Sequence, residues 1–152
     1  MYLRYATTRD VKDPQRGHWP DAGIDFFIPN DFDAMTLAPG ENVLIPSGVK
    51  VEIPPGYMGL FLNKSGVASK KELLIGAQVI DPYYAGEVHI DLHNVGKNRV
   101  ELRPGDKIVQ MILVPISHCQ LTLSDETDLY SDYVTDEFRG KNGFGSTDRK
   151  EK

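Results

Sequence analysis

The sequence predicts an all-β fold, a jelly-roll-like β-sandwich or barrel of short strands with one short helix. Three observations carry this. The 152 residues include 14 Gly and 10 Pro, spread so that they cut the chain into short runs. Those runs are rich in Val, Ile, Leu, Tyr and Phe, and several alternate apolar with polar residues, the period of a strand. Only one stretch, after Ser65, reads as helix.

Residues 2–6 read as a first strand and 7–20 as a polar loop with Pro14, Gly17 and Pro20. Ala22-Gly-Ile-Asp-Phe-Phe-Ile28 follows, with Gly23 allowing a bend or a close backbone approach. Asp25 alternates with Ile24 and Phe26, so this stretch alone reads it as a solvated strand carboxylate. Met35–Leu37, Val43–Ile45, Val49–Ile53 and Tyr57–Leu62 are short strands separated by Pro39-Gly40, Pro46-Ser-Gly48 and Pro54-Pro-Gly56. Ser65-Gly-Val-Ala-Ser-Lys-Lys-Glu-Leu-Leu74 opens the helix. Lys64, Ser65 and the amides at Gly66 make either an anion site or an ordinary helix start with solvent lysines.

Residues 76–94 read as a β-hairpin with a carboxylate at its bend. Val79-Ile80 ends in Asp81-Pro82, Tyr83-Tyr-Ala-Gly86 turns the chain, and Glu87 to His93 alternates strictly. Asp81 is either a turn residue or a catalytic base. His89, Asp91 and His93 share the wet face of the returning strand.

Val100–Leu102 is another strand, and Ile108–Ile116, nearly all apolar, is expected to be the most buried one. Gln110 is its sole polar side chain before Pro115, so it satisfies neighbouring backbone or reaches a ligand. His118–Leu123 is read as the last strand. The organisation is then a β core over 1–123, an acidic arm over 124–138 and a mobile Gly-rich tail over 139–152. The tail offers Arg139 for a phosphate, Phe144 for stacking, and amides and hydroxyls at Gly145, Ser146 and Thr147.

Composition narrows the function. A formal charge of −5 argues against a general nucleic-acid binder. No apolar run approaches the ~18 residues of a membrane span. With no targeting segment read at the N-terminus and a single cysteine, Cys119, a soluble cytoplasmic protein is expected.

Five stretches in order resemble the homotrimeric dUTPase family (deoxyuridine triphosphate nucleotidohydrolases). They are Ala22-Gly-Ile-Asp25, Lys64-Ser-Gly66, Val79-Ile-Asp-Pro-Tyr-Tyr-Ala-Gly86, Gly105-Asp-Lys-Ile-Val-Gln-Met-Ile112 and Arg139-Gly-Lys-Asn-Gly-Phe-Gly-Ser-Thr147. The resemblance implies a jelly-roll subunit, a homotrimer with active sites shared between subunits, and hydrolysis of dUTP to dUMP and pyrophosphate. It implies Asp81 as the carboxylate that activates water, and Tyr84 under the deoxyribose. Gln78 and Val79 would lie beside the base-reading backbone. Lys64, Ser65, Gly66, Gln110, Arg139, Ser146 and Thr147 would hold phosphates, with Gly145 beside them, and Phe144 would cover the uracil. Mg²⁺ would arrive with the substrate, with Asp25 touching its waters. The sequence departs from the family pattern at Lys64 (usually Arg), Tyr83 (usually a second acid), Asn142 and Gln78 (both usually Gly).

Three other readings stand beside this one. Ile80-Asp-Pro82, Asn94-Val-Gly-Lys97 and Leu102-Arg-Pro-Gly105 also resemble dCTP deaminases, whose catalytic Glu would fall at Asp91. His89, Asp91 and His93 could hold a metal, although a polar strand face or channel lining explains them more simply. A catalytically weak nucleotide sensor on the same fold is the third.

Overall fold

The structure, a computed structural model, describes residues 2–133. Its first compact unit ends at His118, and a second begins at Cys119. Eleven strands and one α-helix make up the first unit. In chain order they are β1 (Arg4–Thr7), β2 (Ile24–Phe27), β3 (Met35–Leu37), β4 (Asn42–Pro46), β5 (Val49–Glu52), β6 (Tyr57–Asn63), α1 (Ser65–Lys71), β7 (Leu73–Ile75), β8 (Val79–Ile80), β9 (His89–Asn94), β10 (Val100–Leu102) and β11 (Lys107–Pro115).

The strands form four antiparallel groups, which is the jelly-roll-like plan the sequence predicts. One has the order β2-β11-β6-β8 and another β4-β9-β7; β1 pairs β5, and β10 pairs β3. β11 is long and apolar because it pairs on both edges, with β2 and with β6. Phe26 of β2 and Phe61 of β6 meet edge to face, with centroids 5.1 Å apart, at the centre of the core. Ile45, Leu73, Ile90, Leu92, Ile108 and Met111 are wholly buried around them.

Four local expectations change. Residues 76–94 do not form a hairpin, because β8 pairs with β6 whereas β9 pairs with β4 and β7. The chain therefore crosses from one sheet to another between Ile80 and His89, which alternation along each strand does not reveal. The helix stops at Lys71, Glu72 takes a left-handed conformation (φ 52°), and Leu73–Ile75 becomes β7. Tertiary pairing with β9 overrides the helical tendency of those leucines. Residues 118–123 form no strand; Leu121 and Leu123 are almost fully exposed, with no described neighbour to pair them. Finally β2, not β11, is buried at every position.

That last change makes Asp25 a buried carboxylate, 4% exposed, rather than a solvated one. β2 is covered on both edges. β11 lies on one, and on the other Gln15 bridges Asp25 through paired backbone hydrogen bonds of 2.7 and 3.2 Å. Ammonium groups then close over its oxygens.

Candidate active site

The crossing between the two sheets builds the site. Ala77–Asp81, Tyr84, Val88 and His89 line a cavity of about 250 Å³ with Phe61 as its floor toward the core. Asp81 is exposed at its edge, directly after the buried Ile80 that anchors β8. The next residues form a tight turn in which the Tyr84 amide donates to the Asp81 carbonyl at 3.3 Å. Pro82 presets the turn's second position, and Tyr83 occupies its third with φ 67°, a conformation usually left to glycine. Tyr84 folds back over Gly86, where a Cβ would overlap its ring, and its hydroxyl donates to the Glu87 carbonyl at 3.1 Å. Asp81 and Tyr84 thus face one cavity, held by one turn.

The opposite wall is Ala77–Val79. The Gln78 carbonyl accepts from the Phe61 amide at 2.9 Å, and its side-chain amide donates to the Ile75 carbonyl at 3.3 Å. Gln78 therefore turns half-buried along the wall. Val79 is exposed at the cavity.

A second cluster forms where β6, β2 and β11 end. Lys64 is ion-paired to Asp25 Oδ1, and Lys107 Nζ lies 3.0 Å from Asp25 Oδ2. Gln110 stands opposite Asp25 in the β2–β11 register and donates from Nε2 to the Asn63 carbonyl at 2.9 Å. Of the two alternatives, the structure shows Gln110 half-buried and satisfying backbone. Gly23 leaves room for it, because a Cβ there would overlap Gln110 Oε1. Ser65 and Gly66 are exposed on the first turn of α1, whose N-cap, Lys64, makes no capping hydrogen bond. None of Asp25, Lys64, Ser65, Gly66 and Gln110 lines the cavity that holds Asp81. Arg139, Phe144, Gly145, Ser146 and Thr147 lie outside the described residues.

The polar face of β9 divides. His89 lines the Asp81 cavity, with Nδ1 2.9 Å from the Glu87 carbonyl. A carbonyl only accepts, so Nδ1 carries the proton. Asp91 accepts from the Ala77 amide at 3.1 Å and lies 3.1 Å from His93 Nε2. Its carboxylate is occupied in holding the cavity wall. Among the described residues no group of three His, Cys, Asp or Glu side chains converges as a metal-ligand set. Both oxygens of Asp25 face ammonium groups. A protein cage for Mg²⁺ does not fit these residues.

Three participants escape a reading by motif: Phe61, His89 and Glu87. Phe61 looks like core, His89 begins a strand whose sheet partner the sequence does not name, and Glu87 lies in the crossing segment just before it. The alternation of Glu87 and His89 with Val88 was the available signal, since it placed both on the polar face.

An all-β core with an acid and a tyrosine at one sheet crossing, and a lysine–aspartate–glutamine cluster at another strand end, defines a class of nucleotide-handling jelly-roll proteins. The family model for dUTPase matches residues 9–148, and the chain belongs to that family. It is 36% identical over 134 residues to the deoxyuridine 5'-triphosphate nucleotidohydrolase of Mus musculus, covering 88% of this chain and 76% of the mouse protein. A dUTPase variant of Staphylococcus bacteriophage 80alpha, solved with dUpNHpp, superposes with a TM-score of 0.79 at 29% identity, covering 96% of this chain and 98% of that one. A dUTPase variant from phage phi11 of S. aureus, which coordinates a structural Mg(II) ion, gives a TM-score of 0.75 at 28% identity, over 83% of this chain and 98% of that one. Among the described residues no helix is long and apolar enough to cross a membrane.

Proposed function

We propose that this chain hydrolyses dUTP to dUMP and pyrophosphate, with Asp81 as the base that activates water. One observation carries the assignment of the base: Asp81 is an exposed carboxylate on the rim of a nucleoside-sized cavity whose other walls are Tyr84 and the Gln78–Val79 segment. Water adds to the α-phosphorus, the bond to the bridging oxygen breaks, pyrophosphate leaves, and the water's proton passes to Asp81. Positioning of that water and neutralisation of phosphate charge supply most of the acceleration. Tyr84 packs under the deoxyribose, where its ring leaves no room for a ribose 2′-hydroxyl.

Lys64, Ser65, Gly66 and Gln110 hold the phosphates, joined by Arg139, Ser146 and Thr147 from the tail. Phe144 covers the uracil, and Gly145 lets the backbone approach. In this reading Lys64 and Gln110 exchange their present partners, Asp25 and the Asn63 carbonyl, for phosphate oxygens. Mg²⁺ carried by the triphosphate would supply charge neutralisation there, and Asp25 would be the residue to contact its waters.

The phosphate cluster does not line the Asp81 cavity of its own chain. This supports a homotrimer in which each active site combines the cavity of one subunit with the cluster of another. The arm over 124–138 then crosses between subunits.

The occupied carboxylate of Asp91 argues against deamination, because it is tied to Ala77 and His93 and does not line the cavity. The test is a panel of dUTP, dTTP, dCTP and UTP with product identification. Pyrophosphate from dUTP alone, lost in Asp81→Ala, is the expected result. Ammonia from dCTP, or equal turnover of all four, overturns the assignment.

A further inference from the structure

On its C-terminal side, the segment that carries Asp81 and Tyr84 is fastened through Glu87. Its carboxylate accepts from the Gly48 amide and lies 3.4 Å from Arg9 Nε. Its carbonyl accepts from two cavity residues, the Tyr84 hydroxyl at 3.1 Å and His89 Nδ1–H at 2.9 Å. The next residue continues the attachment. The Val88 carbonyl accepts from Ser47 N at 3.1 Å, and Val88 N donates to the Val49 carbonyl at 2.9 Å. Gly48 is fitted to this role. Its φ of 75° turns its amide toward Glu87, and a Cβ would press on Arg9 Cγ at 2.7 Å and Val11 Cγ1 at 2.9 Å.

We propose that Glu87 is a positioning residue for the nucleoside site: by locking onto Gly48 and Arg9, it sets the carbonyl that orients Tyr84 and His89. The proposal rests on the assignment of this cavity to the deoxyuridine moiety. A half-buried carboxylate with a main-chain amide and a guanidinium as partners is a stiff anchor, since charge-assisted bonds are about twice as strong as neutral ones. Asp81 is the turn's first residue, and the adjoining Ile80 is anchored by pairing with Gly59 of β6, independently of Glu87. Loosening Glu87 therefore disturbs nucleoside binding more than the chemical step.

The experiment measures kcat and KM for dUTP, and the dissociation constant of the non-hydrolysed analogue dUpNHpp by calorimetry. The variants are Glu87→Ala, Glu87→Gln, Tyr84→Phe and the double Glu87→Ala/Tyr84→Phe. Glu87→Ala is expected to raise KM and the dissociation constant about tenfold, the scale of one lost charge-assisted bond, with kcat within about threefold. Glu87→Gln keeps an acceptor for Gly48 and recovers most of that affinity. The double variant should fall short of the product of the single effects, since both substitutions cut the same link. Unchanged affinity in Glu87→Ala, or fully multiplicative effects, overturns the proposal. If Glu87→Ala does not fold, Glu87→Gln and Tyr84→Phe with their double variant give the same comparison. If the unsubstituted chain binds dUpNHpp without hydrolysing dUTP, the hydrolase assignment fails while the calorimetry still decides on Glu87. Absence of dUpNHpp binding overturns both.

Discussion

Lys64 is ion-paired to Asp25, and that aspartate is buried in a strand where every residue is covered. The lysine that the family motif assigns to a phosphate thus neutralises an interior carboxylate. The same pair joins two distant stretches, Ala22–Asp25 and Lys64–Gly66, into one cluster.

Removing Asp25 should therefore cost stability as well as activity. Asp25→Ala is expected to lower the unfolding free energy by about 3 kcal/mol, the range for breaking a buried pair. Lys64→Met should cost less, because Lys107 still covers the other oxygen of Asp25. Urea unfolding of both variants checks the order. A smaller loss for Asp25→Ala than for Lys64→Met would contradict it.

Gly23 and Gln110 are coupled by lack of space. Gly23→Ala should push Gln110 off the Asn63 carbonyl and destabilise the protein by about 1–3 kcal/mol. Gln110→Ala in the same background should recover part of that loss, because the side chain being struck is gone. Thermal melts of the two single variants and the double variant measure this directly.

Tyr83 holds a positive φ in the turn after Asp81. The left-handed conformation costs a non-glycine residue roughly 1–2 kcal/mol, and glycine's extra chain entropy returns about half of that. Tyr83→Gly is thus expected to raise stability by about 0.5–1 kcal/mol in a denaturant titration. A loss of stability would mean that the exposed ring makes contacts worth more than the backbone relief.

Gly76 abuts Asp91 and His93, with His93 Nε2 2.5 Å from where its Cβ would be. Gly76→Ala should shift the Ala77–Val79 wall and raise the KM for dUTP about tenfold, with a smaller change in kcat. Steady-state kinetics on the folded variant reads the split. An effect confined to kcat would place this wall in the chemical step instead.

The tail and the ion can be removed separately. Deleting residues 139–152 should cut dUTP turnover at least about a hundredfold while leaving the oligomer intact by light scattering, since much of the acceleration lies in charge neutralisation and closure. Chelating Mg²⁺ should lower turnover in the full-length chain, with recovery on adding the ion back.

The sequence by itself determined the fold class, most strands, the helix start at Ser65 and the motifs that mark the family. These are local or order-dependent properties: turn residues at short intervals, period-two alternation, and residue types at fixed spacing. Only the tertiary structure decided which strands are neighbours. Strand β8 and strand β9 look like two arms of a hairpin, yet each pairs elsewhere, and that separation opens the cavity beside Asp81. Burial of Asp25, the turning of Gln110 onto Asn63 and the fastening of Glu87 to Gly48 were equally invisible in the chain. Alternation records which side of its own strand a residue faces. It does not record what another strand, far away in sequence, lays over that side.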